Sequence, residues 1–221
     1  MKYRCLVLDH DDTVVCSAKE VNYPALLKAL EVLRPELRLS FRDFHYGCFR
    51  QNFSVMCREF FRFTPEESAR QFAIWKDYVQ EHIPPIYDGI APVLRRFRAE
   101  GGRIVVSSHS GVENILRDYQ THLGFAPDAV FGWELGEKLR KPNPYALTET
   151  MRRFDLRPEE MLMVDDMKAG MEMAETCGVP FACAGWSHDI PEIAEYMRAA
   201  CLVYLQTPEE LAALIFPTKK T

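Results

Sequence analysis

Residues able to do chemistry gather first at Leu6-Val7-Leu8-Asp9-His10-Asp11-Asp12-Thr13, where a short apolar run ends in three carboxylates and a hydroxyl. Crowded carboxylates raise the cost of ionising one another, so a positive partner is required. The run is too short for a buried helix and gives way at once to charge. It reads as a buried parallel strand that delivers Asp9 and Asp11 to its C-terminal end. In open α/β sheets, ligands bind at that edge. The plainer account is an acidic turn in which Asp12 and Thr13 cap the next segment.

Three later segments supply what this octet lacks. Ile104-Val105-Val106-Ser107-Ser108 brings hydroxyls to the end of a second strand, and Lys141-Pro142-Asn143-Pro144 brings a cation on a stiff segment ahead of a helix that Tyr145 begins. Met161-Leu162-Met163-Val164-Asp165-Asp166 places a further pair of acids after a buried strand. Each has an ordinary structural reading: a turn serine, a solvated lysine and a capped helix start. Together they offer a carboxylate cluster that needs a hard cation, with a hydroxyl and an ammonium suited to phosphate oxygens. Carboxylates, carbonyls and waters are the ligand set of Mg²⁺, which also takes part of its shell from substrate phosphate. Such a metal would relieve the repulsion among Asp9, Asp11 and Asp165.

The elements that must hold these residues have a simple pattern. From Arg103 onward short apolar runs alternate with amphipathic stretches, as in successive βα units of a parallel sheet covered by helices. Strands are expected at Cys5 to Leu8, Ile104 to Ser107, Ala129 to Phe131, Met161 to Val164, Phe181 to Ala184 and Leu202 to Leu205. Gly101-Gly102 stops a helix that begins near Asp88, Gly124 one that starts near Val112, and Gly178 the one before Phe181. Between Asn22 and about His82 the sequence is helical in period and dense in aromatics, among them Phe41, Phe44, Phe49, Phe53, Phe60, Phe61, Phe63, Phe72, Trp75 and Tyr78. Thr64-Pro65-Glu66-Glu67 is a helix start with a capping threonine, proline at the first helical position and glutamate three residues after the cap. This is a helical insertion of about four helices whose aromatics are expected to fill its own core, ended by Pro84-Pro85.

The chain has 221 residues, 48% of them hydrophobic, enough to bury a proper core. A net charge of -5 argues against broad attraction to nucleic acid or to an anionic membrane. The seven cysteines are scattered with no Cys-x-x-Cys pair, which disfavours zinc and disulfides and makes a reducing cytoplasm the expected setting. The first apolar run is far too short for a signal-peptide core or a membrane span.

In its motifs the sequence resembles the haloacid dehalogenase-like hydrolases, a superfamily of mainly phosphatases and phosphotransferases. The four motifs stand in order: Asp9-x-Asp11-x-Thr13, Ser107 after an apolar strand, Lys141-Pro-x-Pro, and the Asp165-Asp166 pair. The resemblance implies an α/β fold with a Rossmann-like parallel-sheet core at 1–16 and 85–221 and an inserted helical cap at 17–84, like the type-one cap of that superfamily. It further implies a Mg²⁺-dependent phosphatase acting on a small phosphomonoester. The oligomeric state is not set by the sequence, a monomer or weak dimer being the expectation. Asp9 would be the nucleophile, forming an aspartyl-phosphate that water hydrolyses. Asp11 would protonate the leaving oxygen and then activate water. Ser107, with Ser108, and Lys141 would bind the phosphoryl group. Asp165 would complete the metal site with a carboxylate oxygen of Asp9 and the main-chain carbonyl of Asp11, with Asp166 as a further candidate ligand. Thr13 would brace the loop.

The sequence also departs from the family pattern. Asp12 stands where a glycine usually precedes the threonine, and His10, rather than the frequent aromatic, stands between the acids. Ala169 occupies the place of a second aspartate four residues into the fourth motif. In the insertion, Gly47-Cys48-Phe49-Arg50 is similar to an arrangement that sugar-phosphate mutases of the family use to hold a charged substrate group, so Arg50 is a candidate anchor for a second anion through its planar fork; an exposed helix arginine is the simpler account. The cap-side histidine expected of a mutase is missing around Val21-Asn22-Tyr23, which favours a phosphatase over a phosphotransferase or mutase. A family member turned binding or regulatory protein is the other alternative. A response-regulator receiver is disfavoured by motif order.

Overall fold

A computed structural model describes residues 1–217. The chain forms two compact units, one built from Met1–Val15 and Ile86 onward, the other from Cys16–Pro85. In chain order the first strand, β1 (Cys5–Leu8), is followed by α1 (Tyr23–Leu33), α2 (Phe41–Gln51), a single turn α3 (Phe53–Val55) and α4 (Pro65–Glu81). Then come α5 (Ile90–Ala99), β2 (Arg103–Ser107), α6 (Val112–Leu123), β3 (Ala129–Phe131), α7 (Tyr145–Phe154) and β4 (Met161–Asp165). The described chain closes with α8 (Lys168–Cys177), β5 (Phe181–Ala184), α9 (Pro191–Ala200), β6 (Tyr204–Leu205) and α10 (Pro208–Ile215).

In the larger unit all strands are parallel, in the order β3-β2-β1-β4-β5-β6. The central strands are buried on both faces, which is why they read as continuous apolar runs rather than alternations. Their side chains still divide by parity. Leu6, Leu8, Ile104, Val106, Leu162 and Val164 pack on one face with Leu94 and Phe97 of α5, Ile115 and Tyr119 of α6 and Leu211 of α10. Cys5, Val7, Val105, Met161 and Met163 pack on the other with Leu147 of α7 and Met173 of α8. The expected strand from Leu202 shortens to Tyr204–Leu205, because Cys201 is still hydrogen-bonded to the last turn of α9 and Leu202 lies wholly in solvent. The helix expected from Asp88 begins at Ile90, after Gly89 takes a left-handed conformation with φ 89°.

The smaller unit packs its own core from Leu26, Leu30, Leu39, Phe44, Met56, Phe61 and Phe63. The capping box of α4 forms as its sequence implies, with Thr64 Oγ1 accepting from Glu67 N and Glu67 Oε2 accepting from Thr64 N. Not all the aromatics enter this core. Phe60, which precedes α4, and Phe72, on α4 next to the buried Gln71, are exposed, and Trp75 and Tyr78 of α4 are half-buried. No described helix is long and apolar enough to cross a membrane.

Candidate functional site

The site residues meet because three neighbouring strands end together. Leu8 pairs with Val106 on one side and with Val164 on the other, so Asp9, Ser107 and Asp165 emerge at the C-terminal edge of β1, β2 and β4. Asp9 N donates to Val164 O at 2.8 Å, which fixes the nearest peptide of the loop. Lys141 arrives from the segment ahead of α7. Its Nζ lies 2.8 Å from Asp9 Oδ1 and also donates to Asp165 Oδ2, with all three side chains buried. Met167 N donates to Asp165 Oδ1 at 2.8 Å.

Asp166 is buried and neither of its carboxylate oxygens has a hydrogen-bond partner among the described residues. Ligand atoms from Asp9, Asp165 and Asp166 all lie within 4.8 Å of one another. Three buried carboxylates against one ammonium leave negative charge uncompensated, and an all-oxygen donor set with unpaired lone pairs fits a hard divalent cation. The titrations carry the same strain. Burial, opposed by Lys141 and aided by Asp165 and Asp11, pushes Asp9 up to about 7. Burial, then Asp165, Asp9 and Asp12, hold Asp166 well above the usual carboxylate range. Burial works against the Lys141 ammonium, yet Asp165 and Asp9 outweigh it and keep the lysine above its ordinary value, hence charged.

Asp11 is half-buried, and its Oδ2 accepts from Ser110 Oγ at 2.6 Å and from Ser108 Oγ at 3.2 Å. The metal role that the resemblance implies for Asp11 runs through its main-chain carbonyl, not through this carboxylate. Ser107 is buried at the end of β2, whereas the Ser108 hydroxyl is turned to Asp11. Thr13 does not brace the loop with its hydroxyl, which is buried without a hydrogen-bond partner among the described residues; its carbonyl does so, accepting from Trp186 Nε1 at 3.1 Å. Arg50 lies in the other unit, exposed in the last turn of α2, its guanidinium 6.0 Å from the Tyr46 ring centroid.

The two departures in the first motif have physical explanations. Asp12 has φ 57°, the left-handed conformation for which glycine is the easy choice and aspartate one of the tolerated alternatives. His10 is buried with Nε2 3.1 Å from Asp118 Oδ2, and Asp118 in turn accepts from Arg117 Nε at 2.8 Å, so the loop between the acids is tied to α6. Several supporting residues carry no signal in the sequence. Ser110 is one. Gly170 is another, since a Cβ there would sit 2.3 Å from Asp165 Oδ2. His188 is a third; its Nε2 lies 2.9 Å from Asp166 O, an acceptor, so Nε2 carries the proton, and its Nδ1 lies 3.1 Å from Tyr204 Oη.

Comparison with known proteins agrees with this architecture. Similar solved structures include CbbY from Rhodobacter sphaeroides in complex with phosphate, 16% identical over 95% of this chain and 96% of that one, with a TM-score of 0.74. A candidate phosphoglycolate phosphatase from Lactobacillus plantarum is 17% identical over 97% of this chain and 100% of that one, with a TM-score of 0.78. A haloacid dehalogenase-like protein of unknown function from Agrobacterium tumefaciens is 18% identical over 96% and 97%, with a TM-score of 0.75. At these identities the likeness is one of fold. A search of curated protein sequences finds no match to this chain. The family model for haloacid dehalogenase-like hydrolases, however, matches residues 3–178, a span that holds every strand-end acid, the serines and the lysine described above, and the chain therefore belongs to that family.

Proposed function

We propose that this hydrolase is a Mg²⁺-dependent phosphatase that transfers the phosphoryl group of a small phosphomonoester to Asp9 and then to water. The observation that carries the reading is the buried Asp9–Lys141–Asp165 arrangement beside the unpartnered Asp166 carboxylate. In it Asp9 is a carboxylate with a charged ammonium at hand and no competing hydrogen-bond donor other than Lys141 among the contacts described. Asp9 would attack phosphorus while the bond to the leaving oxygen breaks, and Asp11 would deliver a proton to that oxygen. In the second step Asp11 would take a proton from water as it attacks phosphorus, and the Asp9–phosphorus bond breaks to release inorganic phosphate. Ser107 and Lys141 would hold the phosphoryl oxygens, the lysine compensating charge that grows there. Asp9, Asp165 and Asp166, with the Asp11 carbonyl, would hold Mg²⁺, which when bound supplies charge neutralisation and orientation for phosphate.

We read the helical unit as the cap that selects the substrate, and Arg50 as an anchor for a second anionic group. One similar protein, a CbbY variant, was solved with xylulose-1,5-bisphosphate, which carries such a group. The test is hydrolysis of an aryl phosphate with and without Mg²⁺, together with phosphate labelling of the protein. Metal-dependent turnover with label on Asp9, both absent from Asp9→Asn, is the expected result; turnover that survives loss of the Asp9 carboxylate refutes the mechanism.

A further inference from the structure

Ser108 and Ser110 lie on the segment between β2 and α6, and both are buried. Ser110 Oγ donates to Asp11 Oδ2 at 2.6 Å, Ser108 Oγ donates to the same oxygen at 3.2 Å, and Ser110 N donates to Ser108 Oγ at 3.2 Å. The hydrogen bonds form a closed circuit. The Ser110 main chain orients the Ser108 hydroxyl, and both hydroxyls then converge on one carboxylate oxygen from the side of β2. A carboxylate on a loop can turn about two side-chain torsions, and fixing it costs entropy unless donors pre-organise it. A single short hydrogen bond to a charged acceptor is among the stronger ones a side chain makes.

We infer that Ser110, assisted by Ser108, is the positioning residue for Asp11: the pair clamps Oδ2 so that the carboxyl group presents a fixed orientation for proton transfer. This rests on the reading of Asp11 as the acid-base residue. It assigns Ser108 to Asp11 rather than to the phosphoryl group, and it gives Ser110 a role in the reaction although its side chain touches neither nucleophile nor lysine among the contacts described. The clamp acts only on steps in which Asp11 moves a proton. With a good leaving group, formation of the phosphoenzyme needs no acid, so loss of the clamp falls on hydrolysis of the phosphoenzyme. With an alkyl phosphate both steps suffer.

The experiment is pre-steady-state hydrolysis of an aryl and an alkyl phosphate by the full chain with Mg²⁺, in the parent, Ser110→Ala, Ser110→Thr and Ser108→Ala. For Ser110→Ala we expect kcat on the aryl phosphate to fall about 10- to 100-fold with KM falling in step, so that kcat/KM stays within about twofold, while the burst of aryl product keeps or gains amplitude. The alkyl phosphate should lose more. Ser110→Thr, which keeps the hydroxyl, should recover most of the rate, and Ser108→Ala should repeat the pattern more weakly because its contact is longer. Parent-like kcat for both alanine variants overturns the inference. So does a parallel loss of burst amplitude and steady-state rate that threonine does not repair, which marks Ser110 as merely structural. A parent enzyme that forms no phosphoenzyme at all refutes the underlying reading instead, so the two failures are distinguishable.

Discussion

Replacing Gly170 with alanine sets the ordinary rule for helices against the geometry of the site. Gly170 is the third residue of α8, and by helix propensity alone alanine would stabilise the chain by about 1 kcal/mol. The new Cβ, however, would lie 2.3 Å from Asp165 Oδ2, 2.4 Å from its Cγ and 2.5 Å from its Cβ. Relief to normal separations requires a shift of about 1 Å. Asp165 cannot give way cheaply, because it is wholly buried, accepts from Met167 N and is paired with Lys141. Overpacking of this kind costs about 1–3 kcal/mol, so the net change should be a loss of about 0–2 kcal/mol instead of a gain. The displaced carboxylate should also bind a divalent cation about 10- to 100-fold more weakly, as when groups supporting a ligand are altered. Urea unfolding without metal reads the first effect and calorimetric titration of the folded variant with Mn²⁺ the second. A variant about 1 kcal/mol more stable than the parent, with unchanged affinity for the cation, would refute the claim that α8 must approach Asp165 this closely.

Other perturbations probe the same packing and charge. Because burial raises Asp9 to about 7 and Asp166 well above the usual range, protons reside on these carboxyls below those values; adding Mg²⁺ near pH 6 in weak buffer should release protons, and affinity should climb with pH. An affinity constant from about pH 5.5 to 7.5 is the contrary result. At Asp12, alanine and glycine both delete the carboxylate, so their difference isolates the backbone: with φ 57°, Asp12→Ala should be less stable than Asp12→Gly by about 1 kcal/mol in urea unfolding, and equal midpoints would contradict that. In the helical unit, the Arg34 side chain and then the Thr64 N–H hold Glu67 down to about 2. A depressed carboxyl contributes stability that is full above its ordinary value and is lost as pH falls towards the folded one, so Glu67→Gln should flatten the acid limb between about 4.5 and 2. An unchanged limb would remove Glu67 from the account.

What could be read from the chain alone was what neighbours in sequence determine. β1 and β4 announced themselves because a strand buried on both faces must be apolar without interruption, and the abrupt change to acid at Asp9 and Asp165 marks where the sheet ends and solvent-side chemistry begins. The start of α4 was legible because Thr64, Pro65 and Glu67 satisfy one another's orphan backbone groups within a single turn. Phe60 and Phe72 misled because aromatic density reports capacity to bury and not which face a helix turns inward. The layer behind the reactive groups was illegible for a stricter reason. His10 meets Asp118 across 108 residues, and Ser110 meets Asp11 across 99, contacts that no local spacing encodes. Gly170 is more opaque still: its function is the absence of an atom, and a helix-interior glycine looks the same whether the space beside it is solvent or the carboxylate of Asp165. Local pattern therefore reaches the groups that would touch substrate, since the fold presents them at strand ends, and stops short of those that hold them in place, which only the packing of distant segments defines.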